Sequence, residues 1–205
     1  MIDKILSTIE SYKDEMISLQ KLLTNIPALA PEAGGQGELE KCLALENWLK
    51  DHGITNLQRF DAPDDRVKSG IRPNLLATIP GKDSTKSLWI MTHLDVVPEG
   101  DISLWNTNPW QVVESEGKLF GRGVEDDQQG LVASIFASLA LVKNQIQPNY
   151  DVKLLFVADE EVGSKYGISY ILNNHNLFNK DDIILVPDGG DSNGETIELS
   201  EKNIL

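Results

Sequence analysis

The chain has 205 residues, of which 40% are hydrophobic and 24% charged, and its 18 Lys and Arg stand against 32 Asp and Glu for a net charge of −14. That length can bury a real core, and the composition excludes disordered, collagenous and coiled-coil classes. So acidic a surface repels nucleic acid and anionic membrane, which leaves solubility or the holding of cations as uses for the carboxylates.

Ile2, Ile5, Leu6, Ile9, Tyr12, Met16, Leu19 and Leu23 recur at three- and four-residue steps, which predicts one amphipathic helix over 3–24. A Pro/Gly-rich break covers 27–37. A second helix is predicted over 38–52, with Leu39, Leu43 and Trp48 inward and Gly53 as its stop. Cys42 in this helix is the only cysteine, so an internal disulfide is excluded, and nothing beside it would activate a thiolate. Strands are predicted near 54–60 and 74–79, the second ending at Pro80-Gly81. SLWIMTH (87–93) is a continuous apolar run, as expected of a strand buried on both faces. A loop rich in Trp, Pro and Asn spans 94–110, and a hairpin turning near Gly117 spans 111–120. GRG (121–123) leads into a helix over about 126–143. Buried strands are predicted at 151–159 and 182–188, with a helix at 166–174 between them and a further strand beginning at 195. Strands alternating with helices predict an α/β fold with a mixed, largely parallel central sheet flanked by helices. The N-terminus, acidic at position 3, does not read as a signal peptide, and the apolar run 131–142 is too short for a bilayer. The expected setting is soluble and cytoplasmic.

In open α/β sheets, ligands bind outside the carboxyl ends of the strands. The three buried strands end in His93 and Asp95, in Asp159, Glu160 and Glu161, and in Asp188, while Asp126 and Asp127 open the helix after GRG. Residues two apart in an extended chain point to one side, so Asp95 can accept the N–H of His93 and leave the other ring nitrogen for a cation. Neighbouring Glu160 and Glu161 diverge, so one can bind metal while the other reaches a water. Each piece has a plainer reading: a satisfied core histidine, capping acids at a helix start, a solvated acidic turn, and a turn aspartate before Gly189-Gly190. Their convergence on one rim favours a cation site. The GRG glycines also admit a phosphate cradle, which two adjacent carboxylates would oppose. His52 and His175 read as surface residues at helix ends. Trp105 and Trp110 read as loop anchors or as lining for a substrate cleft.

THLDVVP (92–98), W-N-x-x-P-W (105–110), LFGRGVEDDQQG (119–130), DEEVGS (159–164) and Asp188 together resemble the family of two-zinc hydrolases that includes glutamate carboxypeptidase, aminoacylase, acetylornithine deacetylase, succinyl-diaminopimelate desuccinylase and carnosinase-type dipeptidases. The resemblance covers about 85–190. It implies a zinc-exopeptidase-like fold and Zn2+ as cofactor, two ions per complete site, with Co2+ or Mn2+ as substitutes. In it His93 and Asp188 bind the first zinc, Asp126 bridges both, and Glu161 binds the second. Glu160 is the general base and acid, Asp95 orients His93, and the Asp126–Asp127 peptide is cis. The implied reaction is hydrolysis of a peptide or amide bond, as a dipeptidase or carboxypeptidase or, by the same chemistry, as an N-acyl amino-acid deacylase. The substrate is then a small peptide or an N-acyl amino acid, and the full-length protein a homodimer. The acids at 127 and 188 lean toward the peptidase branches.

Gln128-Gln129-Gly130 stands where the family has Lys-Gly. The family also inserts a lid and dimerisation domain after about this length, then returns with a last histidine for the second zinc. Residues 1–205 are therefore expected to be the N-terminal portion of the catalytic zinc-binding domain, the lid/dimerisation domain and C-terminal catalytic segment being absent. Such a chain would hold a nearly complete first metal position, an incomplete second one, and an unpaired sheet edge prone to association. A noncatalytic metal-binding or interaction module is the alternative from another class.

Overall fold

A computed structural model describes residues 1–189, so the strand expected from 195 lies outside the described residues. In chain order the elements are α1 (Ile2–Ser11), α2 (Lys13–Thr24), α3 (Leu39–Asp51), β1 (Leu57–Pro63), β2 (Ile71–Ile79), β3 (Asp83–His93), β4 (Val113–Ser115), β5 (Lys118–Phe120), α4 (Gln128–Lys143), β6 (Tyr150–Val157), α5 (Ile168–Asn174) and β7 (Ile183–Leu185). One mixed sheet runs β1-β2-β6-β3-β7, antiparallel across β1/β2 and β2/β6 and parallel across β6/β3 and β3/β7. The hairpin β4-β5 stands apart, and its turn places Glu116 and Gly117 at φ 51° and 74°, the left-handed pair that a two-residue hairpin turn requires.

Strand alternation sorts the core into two layers. Leu75, Ala77 and Ile79 of β2 and Val152, Leu154 and Phe156 of β6 face the layer built by α2, α3 and α4. Leu76, Trp89, Leu155 and Val157 face the other way, against Ile171 of α5 and Phe178. Helix α4 is apolar nearly all round because it is enclosed nearly all round: Leu131, Val132, Ile135, Phe136, Leu139 and Ala140 are all buried. The Phe136 ring meets Tyr12 at 5.2 Å and Trp48 at 5.5 Å.

Four expectations change. The helix expected over 3–24 is two helices, divided at Tyr12, whose ring turns onto Phe136; α1 buries no residue, and Ile2 and Leu6 are exposed. In α3 the inward stripe is Cys42, Leu45 and Leu49, while Leu43 is exposed. Trp48 packs partly buried against this layer as expected, and Lys41 is buried beside the stripe. Within SLWIMTH the side chains alternate, with Trp89 fully buried and Ile90 and Met91 partly so. Finally, β7 is not a buried strand: Ile183, Ile184, Leu185 and Val186 are exposed, because β7 is the sheet edge and pairs with β3 alone among the described residues. Cys42 is buried as expected, and burial pushes its thiol up to about 12, so it is inert.

The topology creates the rim that matters. Parallel pairing sets His93 opposite Val157, so β3 and β6 finish together. On the other side of β3, Ile90 faces Leu185, and three residues further Asp188 comes level with His93. No helix among the described residues is long and apolar enough to cross a membrane.

Candidate metal centre

His93 is buried at 3% exposure, and its ring is fixed from behind. Nδ1 lies 3.0 Å from the Asp95 main-chain oxygen; a carbonyl can only accept, so Nδ1 carries the proton and Nε2 is left facing the rim. Nε2 lies 2.9 Å from Asp126 Oδ1 and 3.7 Å from Asp188 Oδ1. One ligand atom from each of His93, Asp126 and Asp188 lies within 4.8 Å of the others. The Asp126–Asp127 peptide is cis, as the resemblance implied.

Asp95 differs from its expected part. It meets His93 through its carbonyl, and its carboxylate stands 3.5 Å from Nδ1. That carboxylate instead accepts the main-chain N–H of Glu160 and of Glu161, each at 3.0 Å. The reason is local: β3 ends at His93, so the alternation that would align the 93 and 95 side chains no longer holds, and the nearest unpaired donors are the amides of the next rim turn. Asp95 therefore ties the histidine to the two glutamates. Those glutamates form a one-turn 310 helix, Glu160–Val162. Glu161 lies outside the His93 group and lines, with Asp126, Arg122 and Val97, a cavity of about 150 Å³. A second cavity of about 100 Å³ is lined by His93, Asp127, Glu160 and Asp188.

The electrostatics are those of a site short of positive charge. Burial opposes a charge on His93, but Asp188 and Asp95 outweigh it and push the imidazole up to about 12. Partial burial raises the carboxyls of Glu160 and Glu161, with neighbouring carboxylates adding and His93 opposing. Burial pushes Asp127 up to about 7. A divalent ion relieves such crowding, and an imidazole nitrogen with carboxylate oxygens is a donor set that suits Zn2+. His93, Asp126 and Asp188 thus fit a divalent ion, and Glu161 lies with Asp126 in the adjoining cavity.

Sequence reasoning missed three supports. Asp127 stands at the N-cap of α4, but its side chain makes no cap bond: Oδ2 accepts the His93 main-chain N–H at 3.0 Å and Oδ1 is buried without a partner. Asn74, fully buried, donates to the Phe60 and Tyr166 carbonyls and accepts from Ala158 N. Arg72, also fully buried, joins Glu38 to Asp159. Asn74 and Arg72 belong to no spaced motif; only an Arg and an Asn inside an otherwise apolar strand hinted at buried partners. Of the weaker candidates, His52 is exposed and stacks on Trp48, while His175 is half-buried against Phe60 and Tyr170, away from the rim residues. Trp105 donates from Nε1 to the Glu99 carbonyl, as a loop anchor would, and neither it nor Trp110 lines either of these two cavities.

Comparison with known proteins gives the chain's kinship. The family model described as peptidase family M20/M25/M40 matches residues 89–201. A metallohydrolase of Methanocaldococcus jannaschii is 44% identical over 199 residues, covering 94% of this chain and 48% of that protein. A succinyl-diaminopimelate desuccinylase of Rickettsia bellii is 31% identical over 158 residues, covering 75% of this chain and 37% of that protein. The chain thus spans about half the length, or less, of the curated relatives it matches. Among solved structures, the dipeptidase Dug1p of Saccharomyces cerevisiae superposes with a TM-score of 0.77 at 23% identity, over 92% of this chain and 41% of that one. Human carnosine dipeptidase 1 gives 0.76 at 22%, over 91% and 41%. At those identities the structures speak for the fold. The family model covers more than half of the chain and ends the question of kinship: the chain belongs to peptidase family M20/M25/M40.

Proposed function

We propose that the protein is a hydrolase of peptide or amide bonds in small substrates, of the dipeptidase or carboxypeptidase kind, working with two zinc ions. His93, Asp126 and Asp188 would hold the first ion, and Asp126 with Glu161 would contribute to the second. The observation that carries this reading is the meeting of His93, Asp126 and Asp188 within 4.8 Å beside the Glu160–Glu161 turn. The chemistry such ions supply is Lewis-acid polarisation of the scissile carbonyl and of the attacking water. The chain's own residues do the rest. Asp95 fixes the tautomer of His93 and the height of the glutamate turn through two hydrogen-bonded amides. Glu160, whose carboxyl is raised by partial burial, takes the water's proton on a carboxylate oxygen and delivers it to the departing nitrogen.

A second reading, N-acyl amino-acid deacylation, uses the same residues and is favoured by the desuccinylase relative and by a deformylase relative 28% identical over 166 residues. The test is a screen of the zinc-loaded full-length protein against dipeptides and N-acylated amino acids, with Glu160→Gln beside it. Hydrolysis of one class, lowered about 10²–10⁴-fold in the variant with metal content retained, supports the enzyme and names its branch. A parent that holds metal and hydrolyses neither class supports the noncatalytic module.

A further inference from the structure

The Glu160–Glu161 turn is held from below by three devices, and one of them is a buried charge chain that the proposed chemistry does not use. Asn74 grips Ala158 N at 3.0 Å and the Tyr166 carbonyl at 2.9 Å. Asp95 grips the two glutamate amides. The third device begins at Glu38, fully buried next to α3, which takes Nε of Arg72 at 2.6 Å and Nη2 as well. Nη1 of Arg72 then faces Asp159 Oδ1 at 3.1 Å and Asp64 Oδ2 at 3.5 Å. The contact with Asp159 is an ion pair without hydrogen-bond alignment, since neither atom has a directed partner. Asp159 Oδ2 accepts the Tyr166 N–H at 3.1 Å.

Asp159 itself sits at φ 66°, ψ 17°, in the left-handed region, immediately before Glu160. A residue other than glycine stays there only when its surroundings over-determine it, and a single relaxation at this position would re-aim the next side chain. We infer that Arg72 and Asp159 form a buried positioning pair that sets the direction of Glu160 and Glu161, and hence the second cation position, resting on the hydrolase reading above. Arginine is needed because the guanidinium serves two partners at once, Glu38 through Nε and Nη2 and Asp159 through Nη1. The point charge of a lysine cannot span both.

The test compares the full-length protein with its Arg72→Lys and Asp159→Asn variants. Asparagine keeps the size of the side chain and tolerates the left-handed conformation, so the second variant isolates the charge and decides the matter if the first fails to fold. Amide hydrogen exchange and Co2+ titration followed by visible absorption are the readouts. Exchange at Glu160, Glu161 and Tyr166 is expected to quicken at least tenfold while Leu154 and Phe156 of β6 stay within twofold of the parent. The first Co2+ is expected to keep its affinity within threefold and its spectrum, and a second ion to weaken at least tenfold. Unchanged exchange in the turn overturns the pair, and so does protection lost equally in turn and β6, which would mark a merely structural role. A parent that takes up no Co2+ overturns the hydrolase reading instead, and the exchange result still decides the pair.

Discussion

Gly130 shows how finely the rim is assembled. A Cβ there would stand 2.5 Å from the Pro187 carbonyl oxygen and 2.6 Å from Asp127 Oδ1. The missing side chain lets the end of β7 pass α4 closely enough to carry Asp188 to His93. Gly130→Ala would gain helix propensity of about 1 kcal/mol, yet the collision pushes against backbone on one side and a buried carboxylate on the other. The expected outcome is a first-metal affinity at least tenfold lower by calorimetry; unchanged affinity would show that the rim yields freely. Asp64 offers a residue-scale test in acid. Its carboxylate takes Nε and Nη2 of Arg66, each at 2.8 Å, and these hold it down at about 2. An open chain titrates aspartate near 3.9, so the pair's contribution is whole above pH 4 and disappears as pH falls through 2. That contribution is at most about 2–3 kcal/mol, and less once salt screens the partly exposed Arg66. The gap in melting temperature between the parent and Asp64→Asn should therefore narrow steadily from pH 4 to pH 2.

At the scale of elements, α4 is the pillar on which the site stands. Its N-terminus follows the two rim aspartates, and its middle fills the helical layer against Tyr12, Trp48 and the β6 face. Phe136→Ala should cost about 3–5 kcal/mol in urea unfolding, the usual loss for a fully buried aromatic that leaves a cavity. A loss under 1 kcal/mol would mean that α1 and α3 collapse into the space. Gln128 is buried and bonded side chain to side chain with Thr24 at 3.2 Å, so it joins α4 to α2.

Over the whole molecule, the conspicuous feature is the β7 edge. The three residues of β7 and the Val186 that follows them are 46–56% exposed, and the strand has one open side among the described residues. Unpaired backbone next to apolar side chains is a template for association. The 205-residue chain is expected to sediment as a concentration-dependent mixture and Ile184→Lys to shift it toward monomer. A clean monomer for the parent at high concentration would show the edge to be covered.

Much of this protein was legible before folding. Strand and helix order followed from apolar periodicity, which reports burial one element at a time, and the rim acids stood at strand ends because loops begin there. His93, Asp126 and Asp188 could be chosen because each combines a metal-capable side chain with such a position. The partners could not be chosen. Whether His93 met the carboxylate or the carbonyl of Asp95 turned on where β3 stops, while the hold of Asp127 on a strand amide and the buried charge chain of Glu38, Arg72 and Asp159 were decided by contacts between residues 34 to 87 positions apart. Local pattern carries the sign of a residue's environment, buried or exposed. Which hydrogen bond or ion pair satisfies a buried polar group depends on the other elements that arrive beside it, and those are brought there only by the packing of the whole chain.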